Sequence, residues 1–127
     1  MSRKLVSLIT ASLLLAGLVV LGTAQTGSSV ALTGPIVDKA CSARFTKASD
    51  PQTASAAHTR KCALMENCSK SGYGVFADGK YYEFDEKGNE LAKTKIEASK
   101  KDSGAKYKVE GSVDGSKLMV KSISEIE

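Results

Sequence analysis

The sequence predicts a small α+β domain: a five-stranded antiparallel sheet, either an OB-like partly closed barrel or a curved sheet, with one main helix that carries a Cys/His cluster. Three observations lead there. Two Asp-Gly pairs, Asp78-Gly79 and Asp114-Gly115, each lie between β-prone runs, the strongest short-range hairpin signal. A third apolar/polar alternation, Val30-Ala31-Leu32-Thr33-Gly34-Pro35-Ile36, supplies one more strand. An alanine-rich stretch from Pro51 to Asn67, opened by Asp50 and stopped by Gly72, has the composition of a helix.

Before these elements comes an export signature. Met1-Ser2-Arg3-Lys4 is basic, Leu5 to Leu21 is mostly apolar, and Gly22-Thr23-Ala24 offers small residues for cleavage before Gln25. The apolar run is close to the lower limit for crossing a bilayer, roughly 17 residues, but no basic stop-transfer cluster follows it. The expectation is therefore a signal peptide over residues 1–24, a short leader over 25–29 and one secreted or periplasmic domain over 30–127, with no stable membrane anchor after cleavage. Roughly 100 residues remain, enough for one modest core.

Arg3 and Lys4 account for half of the formal net charge of +4, so the basic balance of the 127-residue chain says little about partners. Lysines and glutamates are mixed from Asp85 to Lys108, and tryptophan is absent, where a nucleic-acid binder would show a basic stripe with interleaved aromatics. Nucleic acid is accordingly not expected as a partner.

In chain order, Gly34-Pro35 interrupts the first strand, because proline cannot donate to a ladder, and Cys41 follows the strand's end. Ala43 to Ser49 is polar and is expected to be irregular. The main helix is expected to be loose in its first turn and firm from about Ser55 to Asn67, which places His58 and Cys62, four apart, on one face. Tyr73–Ala77 and Lys80–Phe84 form the first hairpin, Asp85 to Asn89 a turn, and Glu90 to Ser99 a short helix. Ala105–Val113 and Lys117–Ile123 form the second hairpin. This order differs from the usual OB barrel, whose main helix stands between the third and fourth strands.

The chemistry-bearing residues are few. The single histidine, His58, and two of the three cysteines, Cys62 and Cys68, lie together, and Cys41 is just upstream. Cys41, His58, Cys62 and Cys68 are the donor types of a tetrahedral zinc site, and copper(I) is the other ion that thiolates select. The competing expectation is a disulfide from Cys41 to Cys62 or Cys68, which an oxidising compartment favours, with one thiol left over. Thiol redox chemistry through Cys62 and Cys68 is a third option, although the Cys-x-x-Cys spacing is missing. No nucleophile–base pair, phosphate loop or carboxylate constellation appears. The leading expectation is a non-enzymatic exported binding or interaction module of unknown ligand, with metal binding and thiol redox activity as alternatives.

The succession of a Cys, His-x3-Cys-x5-Cys, Ser-Gly-Tyr-Gly, a Phe-x-Asp-Gly-Lys-x-Tyr hairpin and a closing Val-x-Gly-x-Val pair resembles a group of small secreted bacterial proteins of unknown function. The matched positions are Cys41, His58, Cys62, Cys68, Ser71 to Gly74, Phe76 to Tyr82 and Val109 to Val120. The resemblance, which begins with the strand that ends near Cys41, covers nearly the whole chain after the expected signal peptide, and it implies a compartment and a fold class only.

Overall fold

The computed structural model describes residues 27–127. The expected signal peptide lies outside the described residues. Strands β1 (Ser28–Gly34), β2 (Ile36–Asp38), β3 (Tyr73–Ala77), β4 (Lys80–Phe84), β5 (Lys106–Asp114) and β6 (Lys117–Ile126) form one mixed sheet in the order β1-β5-β6-β4-β3-β2. All pairs are antiparallel except β4 with β6. The protein is thus α+β with a curved sheet, as the sequence implies, but with six strands where five are expected, and the sheet is not closed.

The extra strand arises at Pro35. The alternating stretch from Val30 to Asp38 does become strand, yet proline breaks the ladder and divides it into β1 and β2. The first half pairs with β5, Leu32 opposite Val109, and the second with β3, Ile36 opposite Val75. Both ends of the sheet are therefore halves of one bent segment. At the bend Phe76 N–H donates to the Pro35 carbonyl at 3.1 Å. A methyl on the neighbouring Gly34 would run into the Phe76 carbonyl oxygen, so the crossing needs glycine.

Both Asp-Gly pairs form hairpin turns, with Gly79 and Gly115 at positive φ. Along β2 and β3, adjacent residues face opposite ways. Ile36 and Val75 enter the main core with Phe84, Val109, Leu118 and Ile96, whereas Val37 and Phe76 enter a second cluster with Phe45. Half of the sheet is consequently covered on both faces.

The helices depart most from expectation. The main helix is replaced by three short ones, α2 (Pro51–Ala56), α3 (Arg60–Ala63) and α4 (Glu66–Lys70), after α1 (Lys39–Thr46), which occupies much of the stretch expected to be irregular. Two residues break the long helix. Thr59 is extended and caps α3, its hydroxyl accepting from Cys62 N–H at 3.2 Å, and Met65 is extended before α4. Thr59 is also held by a bridge to Ser103, and Arg60 N–H donates to the Asp102 carbonyl at 2.7 Å. Alanine's propensity, a few tenths of a kcal/mol per residue, yields to these tertiary bonds.

The longest helix is instead α5 (Glu86–Ala98), which absorbs the expected turn over Asp85 to Asn89. Asp85 is its N-cap: one carboxylate oxygen accepts from Gly88 N–H at 3.0 Å and from Val120 N–H at 3.1 Å, fixing helix to sheet. Gly88 lets α5 lie against Val120, whose side chain occupies the space of any β-carbon there. No helix of the described residues is long and apolar enough to cross a membrane.

Candidate metal centre

Breaking the expected helix moves its cysteines toward one point. Cys41, Cys62 and Cys68 each stand third in a separate short helix, α1, α3 and α4. The connections between those helices are tied down. Lys39 N–H donates to the Gly72 carbonyl at 2.8 Å, and Ala40 N–H to the Ser71 hydroxyl at 3.0 Å, which itself donates to the Cys68 carbonyl at 2.6 Å. These bonds join the start of α1 to the end of α4. On the other side, the Arg60 guanidinium donates to the Ile96 and Glu97 carbonyls, both at 3.0 Å, and the Tyr73 hydroxyl to the Ala63 carbonyl at 2.8 Å, so α3 is held against α5 and β3.

The fourth member of the group is Asp38, at the end of β2. One ligand atom from each of Asp38, Cys41, Cys62 and Cys68 lies within 4.8 Å of all the others. In a tetrahedral zinc site, thiolate sulfurs bound at about 2.3 Å are about 3.8 Å apart, so the four donors need to contract by no more than about 1 Å. All three cysteines are free thiols. They are partly buried, and the carboxylate is fully so.

Of the residues that the sequence nominates, Cys41, Cys62 and Cys68 converge, and His58 stands one layer back. Its Nε2 is 2.6 Å from Asp38 Oδ1, with side-chain exposures of 3% for His58 and 0% for Asp38. The expected shared helical face of His58 and Cys62 does not form, because the chain is extended at Thr59 between them. Phe45 packs on the imidazole with ring centres 5.5 Å apart. Asp38 Oδ2 accepts from Cys41 N–H at 2.8 Å and so caps α1. Asp38 is the member that sequence reasoning missed. Its available signal was Asp-x-x-Cys at a strand end, an N-cap placed three residues before a potential ligand.

Burial opposes the charge on Asp38, but bonds from His58 and the Cys41 N–H overcome it and hold the carboxyl below its usual value of 3.8. An ionised carboxylate only accepts, so the imidazole Nε2 carries the proton between them. The thiols respond in the opposite sense. Burial first, and then the Asp38 charge, push Cys41 up to about 12 and also raise Cys68. Without an ion, these two thiols keep their protons at neutral pH. The cluster therefore concentrates acidic groups that a cation would let ionise together.

The chain matches no protein-family model, no curated protein and no solved structure.

Proposed function

We propose that this protein is an exported metal-binding module that takes one thiophilic divalent cation, zinc, at Asp38, Cys41, Cys62 and Cys68. The observation that carries the reading is the approach of these four donors to within 4.8 Å of one another from four separate elements. A carboxylate oxygen in the set favours zinc over copper(I), which prefers sulfur alone. His58 then has the role of a ligand's hydrogen-bond partner: it fixes the Asp38 carboxylate through Oδ1, as carboxylates and histidines do behind many metal ligands. The site's function is to hold the ion and, through it, to join α1, α3 and α4. Export rests on the basic and apolar N-terminal sequence.

The OB-like alternative for the fold belongs to the same proposal. Counting β1 and β2 as one kinked strand, α5 stands between the third and fourth strands, and the third strand runs parallel to the fifth. That order is supported by the strand pairings and fits a partly open barrel.

The test is metal loading of reduced, chelator-treated protein. One zinc per chain, and with cobalt(II) the intense sulfur-to-metal charge-transfer absorption of a tetrahedral thiolate site, are expected; Cys62→Ser and Asp38→Asn should weaken both. Failure to retain stoichiometric zinc or copper(I) under reducing conditions would overturn the reading. A second reading, a disulfide, is favoured by the mutual proximity of three thiols in one cluster. It predicts, in protein isolated without reductant, one free thiol, no stoichiometric metal and a mass about two hydrogens lower.

A further inference from the structure

We infer that the metal centre is a peroxide-sensitive switch: oxidation joins Cys62 to Cys68 and releases the ion, while Cys41, Asp38 and His58 stay as they are. The switch rests on the zinc reading above and adds to it how the site is emptied. Zinc has no redox chemistry of its own, so the electrons that an oxidant takes from this site come from its sulfurs. Three thiols stand within 4.8 Å of one another, one more than a bridge consumes, and all three cysteines are partly exposed, so a small oxidant reaches them.

Bonded sulfurs stand far closer together than this, so one of the helices must move to form a bridge. The three are not equally free to do so. α1 begins on the Asp38 cap and carries buried Ser42 and Phe45, the latter in the second cluster. α3 is capped by Thr59, places Ala63 in the main core and is tied to α5 through Arg60. α4 has no buried residue and no side-chain cap, and Met65 at its start is 56% exposed. Its ties to the start of α1, made by Ser71 and Gly72, lie beyond its C-terminal end. A segment with few buried contacts is the one that opens most readily, so Cys68 is the sulfur that moves. Pinned near α1 at one end, α4 is free at the end joined to α3 through Met65, which makes Cys62 the partner.

The chemistry balances with peroxide alone as oxidant. One of the two thiolates attacks a peroxide oxygen, the O–O bond breaks, hydroxide leaves, and that sulfur becomes a sulfenic acid. The second thiolate displaces the sulfenic hydroxyl as hydroxide, and the S–S bond forms. Two electrons have passed from the sulfurs to peroxide, and two protons from solvent turn both hydroxides into water. The ion is left with Asp38 and Cys41, two donors where zinc takes four, and departs. Asp38 keeps its bond to His58, so the site empties without unfolding the domain. A dithiol reverses the bridge by thiol–disulfide exchange.

A tryptic map reads the bridge directly. Cleavage after Lys39, Arg44, Lys61 and Lys70 puts Cys62 and Cys68 together in the peptide 62–70 and leaves Cys41 alone in the peptide 40–44. The full chain as exported, reduced and loaded with zinc, is titrated with hydrogen peroxide beside a chromophoric zinc indicator, then alkylated and digested. About one zinc per chain should be released as peptide 62–70 becomes lighter by two hydrogens, with Cys41 alkylated and far-UV circular dichroism unchanged. A sulfoxide on Met65 adds an oxygen to the same peptide and is told from the bridge by its mass. Dithiothreitol should restore zinc binding. Zinc that stays bound after peroxide, or a bridge that links peptide 40–44 to peptide 62–70, would overturn the inference and leave the zinc site standing. A reduced chain that takes up no zinc would overturn both.

Discussion

Replacing His58 by alanine in the reduced, metal-free protein tests how the cluster's acid is held, whichever ion or bridge completes it. Asp38 is fully buried and ionised, and His58 supplies the contact to Oδ1 at 2.6 Å. Leaving a buried group without its hydrogen-bond partner costs about 1–3 kcal/mol and more when that group is charged, so a loss of about 3–5 kcal/mol is expected for this carboxylate. The Cys41 N–H still serves Oδ2, which argues for the lower end. At about 4–8 °C per kcal/mol for a domain of this size, His58→Ala should lower Tm by at least about 12 °C. Asp38→Asn removes the charge that needs a partner, so the double variant should be more stable than the two single losses added together, with a coupling of about 1–3 kcal/mol. Thermal melts of the four proteins give both quantities. A His58→Ala melt within about 2 °C of the parent, equivalent to less than about 0.5 kcal/mol, would refute this account of the buried pair.

On the zinc reading the ion must displace the protons that Cys41 and Cys68 retain, so calorimetric titrations at pH 7 in buffers of different ionisation enthalpy should report release of about two or more protons per ion, with affinity rising as pH rises. For the metal-free fold the signs are opposed at the two ends of the scale. The depressed carboxyl of Asp38 contributes stability above about pH 3.8 that is lost as pH falls through its lowered value, while the raised thiol of Cys41 contributes stability that is present below about pH 9 and declines as pH climbs towards 12. Urea melts across pH 3 to 11 should therefore show a maximum between those limits; a profile that only rises would contradict the thiol assignment, and one that only falls the carboxyl assignment. Asp85→Ala removes the acceptor for two N–H groups and should cost about 2 kcal/mol in urea melts. Phe76→Ala, which empties the centre of the second cluster, should cost about 3–5 kcal/mol by the same measurement.

Both hairpins were legible in the sequence because their turns are local: Asp-Gly fixes the loop, and alternation fixes the faces. The break at Pro35 was legible for the same reason. The helical region from Lys39 to Lys70 was not. Its alanines favour one long helix, and what divides it is remote, the bridge from Thr59 to Ser103 and the bond from Arg60 to Asp102. That error carried into the site. On a continuous helix His58 and Cys62 share a face; with Thr59 extended, His58 turns to Asp38 and Cys62 turns to Cys41 and Cys68. The helix start at Asp85 was masked by Gly88, which suggests a turn locally but is needed where α5 touches Val120. Cysteine and histidine announced themselves by type, whereas Asp38, one acid among fourteen acidic residues, acquires its role only from position.

The bent segment that supplies both ends of the sheet also sets the order in which the chain can mature. Ser28 pairs with Val113 and Gly34 with Tyr107, so nearly the whole length of the domain separates β1 from its partner. Loop closure on that scale is among the slow steps of folding, and it has no local substitute, since the nearer hairpin, β3–β4, shares no ladder with β1. A nascent chain therefore holds β1 unpaired until the first strand of the last hairpin has emerged. The same segment ends at Asp38, opposite Tyr73, so on the far side of Pro35 the acid of the cluster is placed by a partner much nearer in the chain than the one β1 must wait for.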